Sequence, residues 1–314
     1  MLKPDSPRIV FVPGKNPKPP PELHRQALWR CLIEGVRRAD ASAHAGLSAA
    51  PEAFTLAAWN RSYYGTERDI GLDLPWIDAL IARDEASTQD RHEAGHWRRV
   101  LLRIAYLIGD ALPMLIPLIP DPAVKTTIEE TARYFSNRDS IGDTVRRPLE
   151  ETIRRHCAHG APLLVIAHSL GSVIAYDALW SLTHKRRSAC PVDLLLTIGS
   201  PLGTKFVQHR LLGHDRHGRE RYPANIRRWI NVTAVGDMTA FDPNIRDDFS
   251  EMLELGMIED LRDNVEPVFN YYRTPEGLNV HRSYGYLVNP AVGRIVADWW
   301  KRANARVERG ADPG

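Results

Sequence analysis

An α/β fold, a mostly parallel central sheet flanked by helices, is what the sequence predicts, and three observations carry the prediction. The strand-like runs are short and apolar throughout, as in strands buried on both faces. Stretches of helical periodicity separate them, the alternation that builds parallel sheets. The composition, 43% hydrophobic and 25% charged over 314 residues, is that of an ordinary globular chain able to bury a large core.

Taken in order, RIVFV (residues 8–12) is a β-branched run that stops at Pro13-Gly14 and reads as a central strand. The following KNPKPPPE (15–22) is not helical, because proline lacks the donor and forces the residue before it extended; helix is predicted from Leu23. AFTLAAWN (53–60) is the second strand, and a long mostly helical region covers about 63–158. PLLVIA (162–167), VDLLLTIGS (192–200) and RWINVTAV (228–235) are further strands, with PVFNYY (267–272) as a sixth candidate. Helices are predicted over 171–182 and 291–307, where Trp299 and Trp300 suit core packing. A sheet assembled from both ends of the chain implies one domain over 1–314, with the surplus length as a helical insertion at about 63–140.

Charge excludes one class of partner. Forty-one Lys and Arg against 39 Asp and Glu leave a formal charge of +2, so no global field recruits nucleic acid. The three cysteines, Cys31, Cys157 and Cys190, form no C-x-x-C pair, so neither a disulfide framework nor a thiolate zinc site is expected. The N-terminus has no secretory apolar run, which makes the cytoplasm the expected location.

The sharpest local feature is PLLVIAHSLGSVIAYDAL, a buried strand running through Ala167-His168-Ser169-Leu170-Gly171 into a helix. A serine held in such a turn lifts its hydroxyl to the top of the sheet, and the residues two before and two after it must be small, as Ala167 and Gly171 are. Leu170 then opens the helix, where the first backbone N–H groups are unpaired and can donate to an oxyanion. A plain helix cap is the alternative use of Ser169. His168 is not the expected base, since adjacent side chains on a tight turn diverge; it lines the pocket or packs.

On these residues the chain resembles the α/β-hydrolase superfamily, and within it the lipase and esterase-like members, in which H-S-L-G after a strand is common. The resemblance spans about residues 8–300. It implies an acid after the serine and a histidine after the acid, each on a loop following a strand. Asp237, after Gly236 in WINVTAVGDMTAF, and His281, in NVHRSYGYLVNP, meet that order. Asp242, Asp247 and Asp263 are rival acids, whereas His209, His214 and His217 precede the acid and fail the order. The resemblance also implies a second oxyanion donor in the loop after an early strand, here the backbone N–H of Lys15, although Pro13 replaces the histidine usual in such loops. It implies no cofactor or metal, and a small-molecule ester or lipid-like substrate.

Three further features stand outside this site. Residues 92–96 read His-Glu-Ala-Gly-His, a literal H-E-x-x-H that on a helix sets His92 and His96 on one face to bind zinc, with Glu93 as base. Its polar flank and Gly95 argue for a solvated helix start instead. The stretch 100–119 has fifteen apolar residues in twenty, but Arg103, Asp110, Pro113 and Pro117 interrupt it too often for a membrane span. As part of a cap it serves an apolar pocket, with transient contact to a membrane surface, or it simply packs on the core. The loop 208–228, with six arginines, is solvated or meets an anionic group.

Overall fold

A computed structural model describes residues 3–95, 122–237, 244–264 and 266–310. Six parallel strands form the central sheet in the order β2-β1-β3-β4-β5-β6: β1 (Arg8–Val12), β2 (Phe54–Leu56), β3 (Leu163–His168), β4 (Leu194–Ile198), β5 (Arg228–Val232) and β6 (Asp260–Asp263). The α/β expectation therefore holds.

The unbroken apolar strands follow from two covered faces. Ile9 and Phe11 of β1 join one apolar cluster with Leu28 and Leu32 of the helix Pro21–Ala39 and Val292 and Val296 of the helix Pro290–Gly310. Val10 and Val12 point the other way, into a cluster with Leu149 and Ile153 of the helix Ile141–Cys157 and Val173 and Ile174 of the helix Leu170–His184. Alternate residues thus enter opposite layers, so each position of the strand must be apolar. Trp299 is buried in the first cluster, as expected of it.

The sheet departs from the sequence reading at its sixth strand. Residues 267–272 form no strand; within them Val268 makes an isolated parallel bridge to Ala234. The sixth strand is instead Asp-Leu-Arg-Asp at 260–263, in register with Arg228 to Asn231. It is an edge strand, where charged side chains are tolerated and useful, and so it lacks the apolar run that marks the others. The second strand is also shorter than AFTLAAWN, covering Phe54–Leu56. The helix expected from Leu23 begins at Pro21, because the first helical position has no use for an N–H and suits the fixed φ of proline.

Within the region 63–140 lie the helices Leu74–Ile81, Thr88–Ala94 and Pro122–Ser136. The apolar stretch 100–119 lies outside the described residues. No helix among the described residues is long and apolar enough to cross a membrane. Cys31, Cys157 and Cys190 are free thiols. In the arginine-rich loop, Arg210 stacks on Phe206 and Arg227 pairs with Asp193 and Glu259.

The helix Leu170–His184 is buried along nearly its whole length, including Asp177. That carboxyl accepts from the Tyr134 hydroxyl at 2.7 Å and from the Leu212 N–H at 2.8 Å, and Arg146 donates to the same tyrosine oxygen at 3.0 Å. Burial outweighs these donors and pushes its pKa up to about 6. The folded state therefore holds this proton more tightly than the unfolded chain does. The stabilising share is complete below the ordinary carboxylate range, near pH 4, and is lost as pH rises through 6. Urea denaturation of the wild type across pH 4–7 is expected to show falling stability over that window, and Asp177→Asn to flatten it; an unchanged slope in the variant would assign the effect elsewhere.

Candidate active site

The candidate side chains gather at the carboxyl ends of the strands, where open parallel sheets present their loops. Ser169 follows β3 directly, with φ 54° and ψ −130°, a combination that L-residues avoid and that persists only when the surroundings hold it. Its N–H donates to the Ile198 carbonyl at 3.1 Å, and its carbonyl accepts from the Ser172 N–H at 2.9 Å and the Ser172 hydroxyl at 2.6 Å. The requirement for small neighbours is literal: a Cβ on Gly171 would sit 2.5 Å from the Pro13 carbonyl oxygen. Ala167 is wholly buried.

Asp237 and His281 come to this serine from separate loops. After β5 the chain turns at Ala234 to Asp237, closed by an Asp237 N–H to Ala234 carbonyl bond of 3.1 Å, with Gly236 at φ 77° supplying the left-handed step. His281 follows the hairpin of β7 (Arg273–Thr274) and β8 (Gly277–Leu278). Its Nε2 lies 2.9 Å from Ser169 Oγ, and its Nδ1 lies 2.9 and 3.0 Å from the two oxygens of Asp237. Ser169 and Asp237 are 1% and 2% exposed, whereas the His281 side chain between them is 24% exposed, so the serine and the acid are buried and the histidine faces solvent in part. The end of β4 packs on the pair: a Cβ at Gly199 would meet Asp237 Oδ2 at 2.8 Å and His281 Nδ1 at 3.1 Å.

Two further residues hold the pair in place, Tyr286, missed in the sequence, and His168. The Tyr286 hydroxyl donates to Asp237 Oδ2 at 2.5 Å and accepts from the Ala234 N–H at 2.9 Å. Burial and the adjacent carboxylate raise its pKa well above the ordinary phenol value, so it stays protonated as a donor. His168 Nε2 meets the His281 carbonyl at 2.7 Å, and its ring lies 4.7 Å from the His281 ring. Burial lowers the His168 pKa far below the imidazole range, with the nearby His281 and Lys18 adding to the shift, which keeps it neutral. It thus packs behind His281, one of the two uses its sequence position allowed.

The loop after β1 comes within contact of the serine: a Cβ on Gly14 would lie 2.9 Å from Ser169 Cβ and 2.7 Å from His168 Nδ1. Its carbonyls are tied down on the other side. Pro13 accepts from Trp59 Nε1 at 2.8 Å, and Gly14 and Asn16 accept from Asn60 Nδ2 at 2.8 and 3.0 Å. In a trans peptide the N–H opposes the carbonyl, so the Lys15 N–H leaves the loop on the side away from Asn60. Leu170 is the first residue of the helix after Ser169, with its N–H among those that lack an intrahelical acceptor.

The remaining candidates do not join this cluster. Asp263 accepts from Asn231 and from the Ile245 and Arg246 N–H groups, Asp247 lies in the short helix Ile245–Asp248, and Asp242 lies outside the described residues. His214 bonds back to the Leu211 carbonyl. In the H-E-x-x-H segment, the helix Thr88–Ala94 is capped by Ser87 and ends at Gly95. Glu93 is engaged by Arg273 at 2.9 Å and by Gln89 at 2.8 Å, contacts that lower its pKa, and His96 lies outside the described residues. No group of three or more His, Cys, Asp or Glu among the described residues could hold a metal ion.

Comparison with known proteins adds no relative: no protein-family model, no curated protein and no solved structure matches the chain. The functional reading rests on the site itself.

Tyr286→Phe removes one buried donor and one acceptor at once, leaving the Ala234 N–H and one Asp237 oxygen unpaired. Stability is expected to fall by about 1–3 kcal/mol, the usual cost of orphaned buried groups. Chemical denaturation of the variant measures it, and a change under a few tenths would mean that water replaces the hydroxyl.

Proposed function

We propose that this protein is a serine hydrolase that cleaves a carboxylic ester through an acyl-enzyme, built on an α/β-hydrolase fold with the region 63–140 as its helical cap. The observation that carries the reading is the continuous contact from Ser169 Oγ to His281 Nε2 and from His281 Nδ1 to Asp237. The same three residues occur in the order serine, acid, histidine.

In this reading His281 takes the Ser169 proton as Oγ attacks the ester carbonyl carbon. Asp237 holds the tautomer with its proton on Nδ1 and stabilises the imidazolium that forms. The tetrahedral oxyanion is met by the Leu170 N–H and by the Lys15 N–H, whose peptide is oriented by the grip of Asn60 on the Gly14 carbonyl. Collapse expels the alcohol, which takes the proton from His281; water, activated by the same imidazole, then releases the acid. Tyr286 fixes the second oxygen of Asp237, so that the carboxylate stays in line with Nδ1. The substrate is a small-molecule or lipid-like ester, and no cofactor enters the scheme.

A fluorophosphonate probe is expected to label Ser169 in the folded wild type and to give no labelling of Ser169→Ala, read by intact-protein mass spectrometry. A folded wild type that resists the probe would favour a binding protein over an enzyme. Asp237→Asn should retain the fold and lower kcat on p-nitrophenyl esters by about 10⁴, because the amide selects the wrong tautomer. Full activity in that variant would remove Asp237 from the mechanism, and activity that survives in Ser169→Ala but is lost to a chelator would replace the serine scheme with a metal one.

A further inference from the structure

Cations cluster on the loops that bring Gly14 and His281 to the serine. The loop that touches Ser169 through Gly14 carries Lys15 and Lys18, and the Lys18 carbonyl accepts from the Arg68 N–H at 3.0 Å, which brings in the segment 65–73. Arg282 follows His281 directly. Arg68 and Arg282 share one carboxylate, the buried Asp73, with Arg68 Nη2 at 3.0 Å from Oδ1 and Arg282 paired to Oδ2. Tyr272 adds a hydroxyl to Asp73 at 3.4 Å. Lys15 faces Glu130 at 3.7 Å.

Among the described residues, the ion pairs set two carboxylates, Asp73 and Glu130, against this group of cations. Among the described residues Lys18 has no carboxylate within ion-pair distance, and Asp73, the anion that acts on it, already serves two guanidiniums. The Arg282 Nε is buried without a hydrogen-bond partner. The effects reach the site: the charge of Lys18 helps to keep His168 neutral, and Lys18 and Arg282 do the same to the buried His24. Burial, with Arg282 next in weight, brings the Lys18 ammonium down to about 7, as happens to a cation that lacks a counter-ion.

We propose that Lys18, with Arg68 and Arg282, forms an anion subsite beside Ser169, so that the ester this protein cleaves carries a carboxylate or phosphoryl group. The forked guanidiniums and the ammonium suit either anion. A bound anion supplies the missing counter-charge, and its charge-assisted bonds position the ester for attack. The substrate class rests on the hydrolase reading above, whereas anion binding does not, and the two can fail separately.

The test pairs kinetics with binding on the full chain. Wild type is expected to prefer mono-p-nitrophenyl glutarate to the neutral p-nitrophenyl butyrate in kcat/KM. Lys18→Met should lower that ratio about tenfold through KM, while Lys18→Arg keeps it within about threefold. Ser169→Ala should bind glutarate or inorganic phosphate in calorimetry, the stronger of the two identifying the anion, and Ser169→Ala/Lys18→Met should not. If Lys18→Met lowers both esters alike, or the ratio does not move, the subsite is overturned. If neither ester is cleaved but the anion binds through Lys18, the hydrolase reading fails and the subsite stands. If no anion binds, the subsite falls whatever the esters do.

Discussion

The backbone of Ser169 is the constraint on which the site depends. Its φ of 54° and ψ of −130° cost an L-residue about 1–3 kcal/mol, and no contact made by the serine hydroxyl could sustain them. The strain is held from outside. β4 lends the Ile198 carbonyl to the Ser169 N–H, and the next helix clamps the Ser169 carbonyl through Ser172, whose hydroxyl is itself 2.7 Å from Ser200 at the end of β4. Gly171 lets that helix settle onto the Pro13 carbonyl, and Gly14 lets the first loop settle onto Ser169. The sheet order places β1 and β4 on either side of β3, so the two clamps reach the serine from the strands that flank it.

The same closeness makes the first loop part of the site. Trp59 and Asn60 stand just past β2, the neighbour of β1 on its other side, and they reach back to the Pro13, Gly14 and Asn16 carbonyls. Three carbonyls held by side chains leave the loop little freedom to rotate its peptides, so the direction of the Lys15 N–H is set by Trp59 and Asn60. Pro13 fits this arrangement: it has no N–H to place, and its carbonyl accepts from Trp59.

Much of this was legible in the sequence, for reasons that separate what was found from what was missed. RIVFV is β1 residue for residue, and the apolar run before Ser169 is β3 shifted by one, because strands covered on both faces must be apolar at every position. Asp237 and His281 were found by chain order within a resemblance, and the structure brings them to Ser169. The edge strand 260–263 was missed because an edge tolerates charge and so loses its signal, while 267–272, rich in aromatic residues, read as a strand although those residues serve burial: Tyr271 and Tyr272 lie in the core cluster. Tyr286 carried no signal either. A tyrosine on the short helix Ser283–Leu287 looks like any core aromatic until the fold sets its hydroxyl beside Asp237. The cationic group could not be read as a group, since Lys18, Arg68 and Arg282 are brought together by three loops distant in sequence.

The charge distribution around the serine also has a direction. Asp237 is held in place by hydrogen bonds from the His281 N–H at 2.9 Å and the Tyr286 O–H at 2.5 Å. His168, packed on the His281 ring, is kept uncharged by burial and by the neighbouring His281 and Lys18, so it places no second positive charge against an imidazolium. Arg282, next in sequence to His281, pairs with Asp73, and Lys18, its ammonium brought down to about 7, has no carboxylate of its own among the described residues. In the proposed hydrolysis negative charge develops on the carbonyl oxygen of the ester, and a fixed positive field outside the histidine pair favours that charge without competing for the Ser169 proton. A cation placed where His168 stands would do the reverse, opposing protonation of His281 at the moment of attack. The neutral histidine behind His281 and the lysine beyond it are thus two parts of one electrostatic arrangement, and the first loop, which contacts Ser169 through Gly14 and bears Lys18 four residues later, joins them.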